Sequence, residues 1–534
     1  MDPCRQTRIL SSFKTPLILL SLVILFFTAR FTFGQDVLTY HNNAFRWGLN
    51  PNETKLTPAN VKSSTFGRLA TISVDGLVDA QPLYVSAIKV AGVSHNLLIV
   101  ATEHDSIYAF DADTYKQIWK KSMLKSGETP SDDRGCNQVT PEIGITSTPA
   151  VLRHLTSDSA VYVVAMSKDK SGDYHQRLHA LDVTNGAELY KGPVEIQAKY
   201  PGKGDNSKDG DVVFDPGQYK ERASLLVIDN TVYLAWSSHC DDRPYTGWIL
   251  AYNAGTLAQT GVLNLTPNGN QGAIWGSGGG LASDGNGNIF LLDANGVFDT
   301  TLTAERLPAD GNYGNAFVRL TTSGGLRVAD YFEMSNEAEE NGTDEDLGSG
   351  AAMLISEPDG NGKTWNLAVG AGKDGNLYVV DRTNLGKFTS GSNKVYQELH
   401  NALPGGIWST PAYFNGRIYY GPVGSPILEF QFKNAKLVGS PVAKTAHSFG
   451  YPGASPSISS DGTANAILWA AENTSPAVLH AFNATTLVEI YNSNQAADDR
   501  DHFGSGNKFV TPTIANGKVY VGTKTGVGVF GLLK

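Results

Sequence analysis

One strand-turn-strand plan returns along the chain, and a repeat of this kind limits the possible folds more than any single motif does. Residues 97–119 read LLIVATEHDSIYAFDADTYKQIW, and residues 161–190 read VYVVAMSKDKSGDYHQRLHALDVTNGAELY. Both run through an apolar β-branched strand, a polar turn, a second strand ending in Ala-(Leu/Phe)-Asp, another turn and a third short strand. The plan recurs at 232–260, 367–388, 418–438, 467–491 and 519–532. Asp111 and Asp182 end strands at the repeated position, where a carboxylate suits the capping of the turn that follows.

Each copy follows another short strand, often introduced by a polar residue and Pro: Gln81-Pro82, Thr148-Pro149, Thr410-Pro411, Ser455-Pro456 and Thr511-Pro512. Proline fits at the start of a strand, where a missing donor costs little. Less regular openings at 223–228, 279–283 and 350–355 bring the opening strands to eight. No long stretch between strands carries helical periodicity, which argues against a βαβ protein. The expected fold is all-β, an eight-bladed β-propeller of four-stranded antiparallel blades. The last copy stops at Lys534 after three strands, and residues 66–75, FGRLATISVD, have the alternation to supply the fourth. An N-terminal strand is thus expected to close the last blade and remove a free edge.

The 534 residues include 57 Gly, in keeping with many tight turns, and carry a net charge of −10, which argues against a nucleic-acid partner. Arg5, Arg8 and Lys14 precede an apolar run over 16–27, and Thr32 and Gly34 provide small residues before Gln35. Residues 1–34 read as a signal peptide, because the run is too short to span a bilayer. Residues 35–534 read as a single propeller domain, secreted or periplasmic, monomeric and without a transmembrane segment once the signal is removed. Cys4 leaves with the signal, so Cys136 and Cys240 remain in an oxidising compartment. One disulfide between them is the economical expectation, and two separately buried thiols are the alternative.

The stretches Ala109-Phe110-Asp111-Ala112 and Ala180-Leu181-Asp182-Val183 look like the repeat of pyrroloquinoline quinone (PQQ) propellers. LTPANV (56–61), VDGLVDAQPLYV (74–85), ATEHDSIYAFDA (101–112), GITSTPAV (144–151) and the SSHCDD and GWILAYNAGTL stretches within 237–257 resemble secreted PQQ-like propeller proteins. The resemblance covers essentially all of the chain after residue 34. In the more distantly similar quinoprotein alcohol dehydrogenases, the quinone lies in the central funnel over a tryptophan floor and under a disulfide of adjacent cysteines. There it is coordinated to Ca²⁺ held by Glu, Asn and Asp, with the Asp as general base. The resemblance therefore implies PQQ and Ca²⁺ as cofactors. This chain departs from the pattern: it has no adjacent cysteines, and Asp293-Ala294-Asn295-Gly296 stands where the dehydrogenases carry Thr-Gly-Asn.

Loops leading into the innermost strands, and hairpins joining second and third strands, should gather at one mouth of the channel. The first set brings Glu142, Trp275, Asp346, Trp408, Tyr451, Asp501 and His502; the second brings His104, His239, Asp241, Asn295 and Lys373. Glu142, Asn295 and Asp346 are oxygen donors of the type a hard cation needs, and they come from different blades. The resemblance adds Asp346 as catalytic base. Trp275, Trp408 and Lys373 are the candidate cofactor contacts, with the tryptophans flooring a flat cofactor, stacking on a sugar or filling wedges between blades. His104, His239 and His502 lack the paired spacing of a zinc site. The acidic run over 336–346 lacks the EF-hand pattern and reads as a solvated loop. Two functions stand side by side. One is a PQQ-dependent dehydrogenase of a small alcohol or sugar. The other is a non-catalytic propeller that binds a protein or polysaccharide, similar to an outer-membrane assembly scaffold, which the missing vicinal cysteines and the missing Cys-x-x-Cys-His haem motif favour.

Overall fold

The computed structural model describes residues 36–154 and 159–534, so the signal peptide read at 1–34 lies outside the described residues. Strand Val93–Ala101 lies between Leu83–Val90 and Ser106–Asp111, with Gln117–Ser122 at the outer edge, and every pairing is antiparallel. Seven further sheets follow the same order, opening with Ala150–Leu152, Leu226–Ile228, Ala282–Ser283, Met353–Pro358, Ala412–Phe414, Ser457–Asp461 and Thr513–Ala515. These are the blades of a β-propeller. Pro82, Pro149, Pro411, Pro456 and Pro512 each stand one residue ahead of an opening strand, where no ladder bond is lost. In the last sheet the N-terminal strand Phe66–Ser73 pairs with Gly526–Leu532, so segments from the two ends of the chain share one ladder.

The middle strands are buried on both faces because each sheet is covered by its neighbours. Eight of the nine residues of Ala160–Lys168 are buried, whereas the edge strand Gln117–Ser122 buries only Trp119. That is why the inner strands read as continuous apolar runs and the outer ones do not. The turn-capping role holds: Asp111 Oδ1 accepts the Thr114 N–H at 2.7 Å, and Asp182 Oδ1 accepts that of Thr184 at 2.7 Å. Near the convergence of the innermost strands, Gly279 is required by space, since a Cβ there would lie 2.3 Å from Ala351 Cβ and 2.4 Å from Thr410 Oγ1.

A feature absent from the repeat is the segment 37–50, which lies across the innermost strands. Val37 forms a bridge with Tyr84, and the His41 N–H donates to Gln81 Oε1 at 3.0 Å. Tyr40 OH donates to Thr410 Oγ1, Trp47 Nε1 to the Leu354 carbonyl, and the fully buried Arg46 donates from Nε to the Leu281 carbonyl at 2.8 Å and from Nη1 to Thr39 and Tyr40. Apart from Thr39 and Tyr40, which lie in the segment itself, these partners lie in or just ahead of the opening strands of four different sheets, so the segment fastens those inner strands to one another. Burial lowers the Arg46 pKa to about 10 and that of His41 to about 3.

The acidic run departs from the expected solvated loop. It contains the helix Glu337–Thr343, with three carboxylates in its first turn, where the helix dipole favours them. Glu340 turns inward, and burial pushes it up to about 8.

Candidate functional site

The site is a cavity of 410 Å³ lined by loops from several blades. Its aromatic wall is an arc of four rings from loops that precede opening strands. Trp408 meets Tyr451 at 6.3 Å between centroids, Tyr451 meets Phe509 at 6.3 Å, and Phe509 meets Trp275 at 6.4 Å, all near-perpendicular. Lys220, Arg222 and Lys373 face the same space, and the Arg222 guanidinium lies 4.9 Å from the Phe509 ring centre. The Cys136–Cys240 disulfide joins residues 104 apart in sequence and forms another part of the wall. Of the two cysteine readings, the bridge is the one observed.

The acidic side is organised by Lys373. Its Nζ lies 2.7 Å from Asp346 Oδ2 and donates to Asp344 Oδ1 at 2.8 Å, while the Asn295 N–H donates to Asp346 Oδ1 at 2.7 Å. Asn295 Nδ2 also donates to Asp344 Oδ1 at 2.9 Å. Burial raises Asp346 to about 6 against the pull of Lys373. On the cationic side, burial, helped by the neighbouring Arg222, lowers Lys220 to about 8. Asp79 and Glu103, both buried, lie within electrostatic reach of Lys220, and burial holds Glu103 well above the usual carboxylate range.

The structure thus brings Trp275, Trp408, Lys373, Asp346, Asp241 and Tyr451 to the lining of one cavity, and places Asn295 against Asp346. Glu142 is elsewhere: its Oε1 meets His104 Nδ1 at 2.9 Å and the residue is not part of the cavity lining. Asp501 receives the Arg68 N–H of the N-terminal strand at 2.9 Å and is likewise outside the cavity. His239 is buried, and burial lowers it to about 3. Sequence reasoning missed Lys220, Arg222, Asp344 and Phe509. Phe509 had a signal, since it stands three residues before Pro512 as Trp408 stands before Pro411. The cations had none.

These donors are a poor fit to a calcium ion. A calcium site gathers about six to eight oxygens. Here the side-chain oxygens of Asp346 are engaged by an N–H and by an ammonium, and Glu142 is not with them. The buried Asn295 Oδ1 lacks a hydrogen-bond partner, yet it is a single oxygen, on an amide whose Nδ2 is held by Asp344. The aromatic arc and the cations instead suit a flat organic anion.

No protein-family model matches the chain, and no curated protein matches it. Among solved structures, a quinohemoprotein alcohol dehydrogenase from Comamonas testosteroni is similar at 15% identity and TM-score 0.60, over 93% of this chain and 80% of that one. A quinohemoprotein alcohol dehydrogenase from Pseudomonas putida HK5 gives 13% identity and TM-score 0.62 over 93% and 80%. A europium-containing methanol dehydrogenase gives 13% and 0.59 over 93% and 98%. At such identities the likeness carries the PQQ-like propeller fold and no activity.

Proposed function

We propose that the chain is an exported propeller, mature from about Gln35, that holds a planar polyanionic quinone of the PQQ class in this cavity and oxidises an alcohol or sugar there. The observation that carries the reading is the aromatic arc facing Lys220, Arg222 and Lys373 within an acidic chain: rings to stack on a flat ligand, cations to meet its carboxylates. The fold of the quinohemoprotein enzymes is consistent with it. Calcium has no part in this reading, because the Lys373 ammonium stands where such an ion would bind Asp346.

A bound quinone would supply the two-electron acceptor. Asp346, titrating at about 6, is suited to take the proton of a substrate hydroxyl near neutral pH. Lys373 fixes that carboxylate with one N–H and spends a second on Asp344, which leaves the third to steady negative charge in the cavity. Trp275 and Trp408 wall the site with apolar surface and hold water away from the reacting atoms.

A second reading, non-catalytic binding of a polysaccharide, is favoured by Tyr451, which is 48% exposed beside Trp408 at the rim and so offers a stacking surface for a sugar ring. The test is to add PQQ, with and without Ca²⁺, and follow both the melting temperature and the chromophore retained after desalting. Retention without Ca²⁺, lost in Lys373→Met, supports the quinone reading and justifies an alcohol and sugar screen. Absence of retention at saturating PQQ removes it and leaves the binding propeller.

A further inference from the structure

The seam between two neighbouring sheets, away from the central cavity, holds a second constellation. His447 lies on Ala443–Phe449, the outer strand of the sheet that opens with Ala412–Phe414. Glu472 ends Ala464–Glu472 and His480 lies on Val478–Asn483, adjacent strands of the next sheet. His447 Nε2 is 2.9 Å from Glu472 Oε1, and His480 Nε2 is 3.4 Å from Glu472 Oε2. The two imidazoles lie 4.5 Å apart with 25° between their planes. On its far side, His480 Nδ1 meets Glu489 Oε1 at 2.7 Å, and Glu489 Oε2 accepts from Asn492 Nδ2 at 2.9 Å.

We propose that His447, Glu472 and His480 form a binding site for a divalent transition-metal ion of the zinc class, clipping the two sheets together. Two imidazole nitrogens and one carboxylate are the ligand types such ions select. One ligand atom from each residue lies within 4.8 Å of the others. Ligands at about 2 Å from a shared ion sit roughly 3–3.5 Å apart, so modest side-chain rotations complete the site. His480 is oriented by Glu489, the carboxylate-histidine-metal arrangement that fixes the tautomer and makes the outer nitrogen a better ligand. The side chain of His480 is 4% exposed and that of His447 38%, so the ion would be held at a buried wall with its remaining coordination position toward water.

The chain carries an internal comparison. His179 pairs through Nδ1 with Glu188 at 2.5 Å, nine residues on, as His480 pairs with Glu489. Across the ladder, His480 stands opposite Ala470 and His179 opposite Val163. Two residues further along those strands, on the same face, come Glu472 in one copy and Ala165 in the other. The His-Glu pair thus recurs in two copies of the repeat. Glu472, and His447 reaching over from the next sheet, are additions that turn one copy toward a metal.

The test strips the purified full chain with a chelator and titrates it with Co²⁺, whose visible absorption reports ligation by nitrogen, and then with Zn²⁺ in competition. One equivalent of Co²⁺ is expected to bind and be displaced by Zn²⁺, and Zn²⁺ should raise the melting temperature. Glu472→Gln and His447→Ala should each abolish the spectrum, Glu489→Gln should weaken binding about 10–100-fold, and His179→Ala should leave it unchanged. Because His447 is half-exposed, its variant keeps the fold, which circular dichroism checks. Failure of the stripped protein to take up Co²⁺ or Zn²⁺, or uptake unaltered in both Glu472→Gln and His447→Ala, overturns the proposal and leaves a histidine pair held by carboxylates alone.

Discussion

The carboxyl of Asp346 is buried and its folded-state pKa stands at about 6, against an ordinary 3.8. The sign follows from proton counting. Below pH 3.8 the acid is neutral in both states and burial costs it nothing. Between the two values the unfolded chain releases the proton and the folded chain keeps it, so this group's contribution to stability falls as pH rises. Above the folded value the penalty is constant. The gap of roughly two units amounts to about 3 kcal/mol at about 1.4 kcal/mol per unit. Asp346→Asn keeps the shape and cannot ionise, so its stability relative to the parent should improve by about 2.5 kcal/mol between pH 4 and pH 7.5, the gain being complete once pH clears the folded value. Urea unfolding of both proteins across that range measures it, and taking the difference between them cancels the other titrating groups. A difference that is flat with pH would mean that Lys373 neutralises the burial cost and that Asp346 is an ordinary carboxylate, unsuited to act as a base near neutrality. The same variant should lose any alcohol-oxidising activity, the usual cost of relieving strain at a working site.

Removing residues 66–73 should abolish soluble folding, because Gly526–Leu532 would lose its ladder partner and stand as a free edge; size-exclusion chromatography and circular dichroism check it, and a soluble monomer with unchanged melting refutes it. Arg46→Met should destabilise by about 3–5 kcal/mol, since it strips donors from buried carbonyls of Leu281 and Tyr40, as read by denaturant midpoint. Cys136→Ser with Cys240→Ser opens a loop of 104 residues and should cost up to about 5 kcal/mol, seen as a lower melting temperature that matches the parent under reductant.

The strands, the eight openings and the partner of the last sheet were all legible in the linear chain. Their signals are local: period-two apolar runs bounded by turn residues, proline just ahead of an opening strand, and one orphan stretch at 66–75 with the alternation a three-stranded copy lacked. Trp408 and Lys373 could be assigned to the mouth because the repeat fixes which loops face it. What these side chains do to one another depended on the fold. Lys373 lies between Asp344 and Asp346 because neighbouring loops turn toward one axis, and no spacing in the chain encodes that approach. Glu142, chosen for its chemistry, sits against His104 instead, and Glu340 is the one buried residue of a short helix that the acidic run forms. The hold of Arg46 on the inner strands and the meeting of His447 with His480 across a seam are likewise contacts between residues far apart in sequence or on different sheets. The sequence alone determines periodic, nearest-neighbour features such as strand, turn and repeat. The distances and burial that set charge and ligand geometry arise only once the sheets are packed around a common axis.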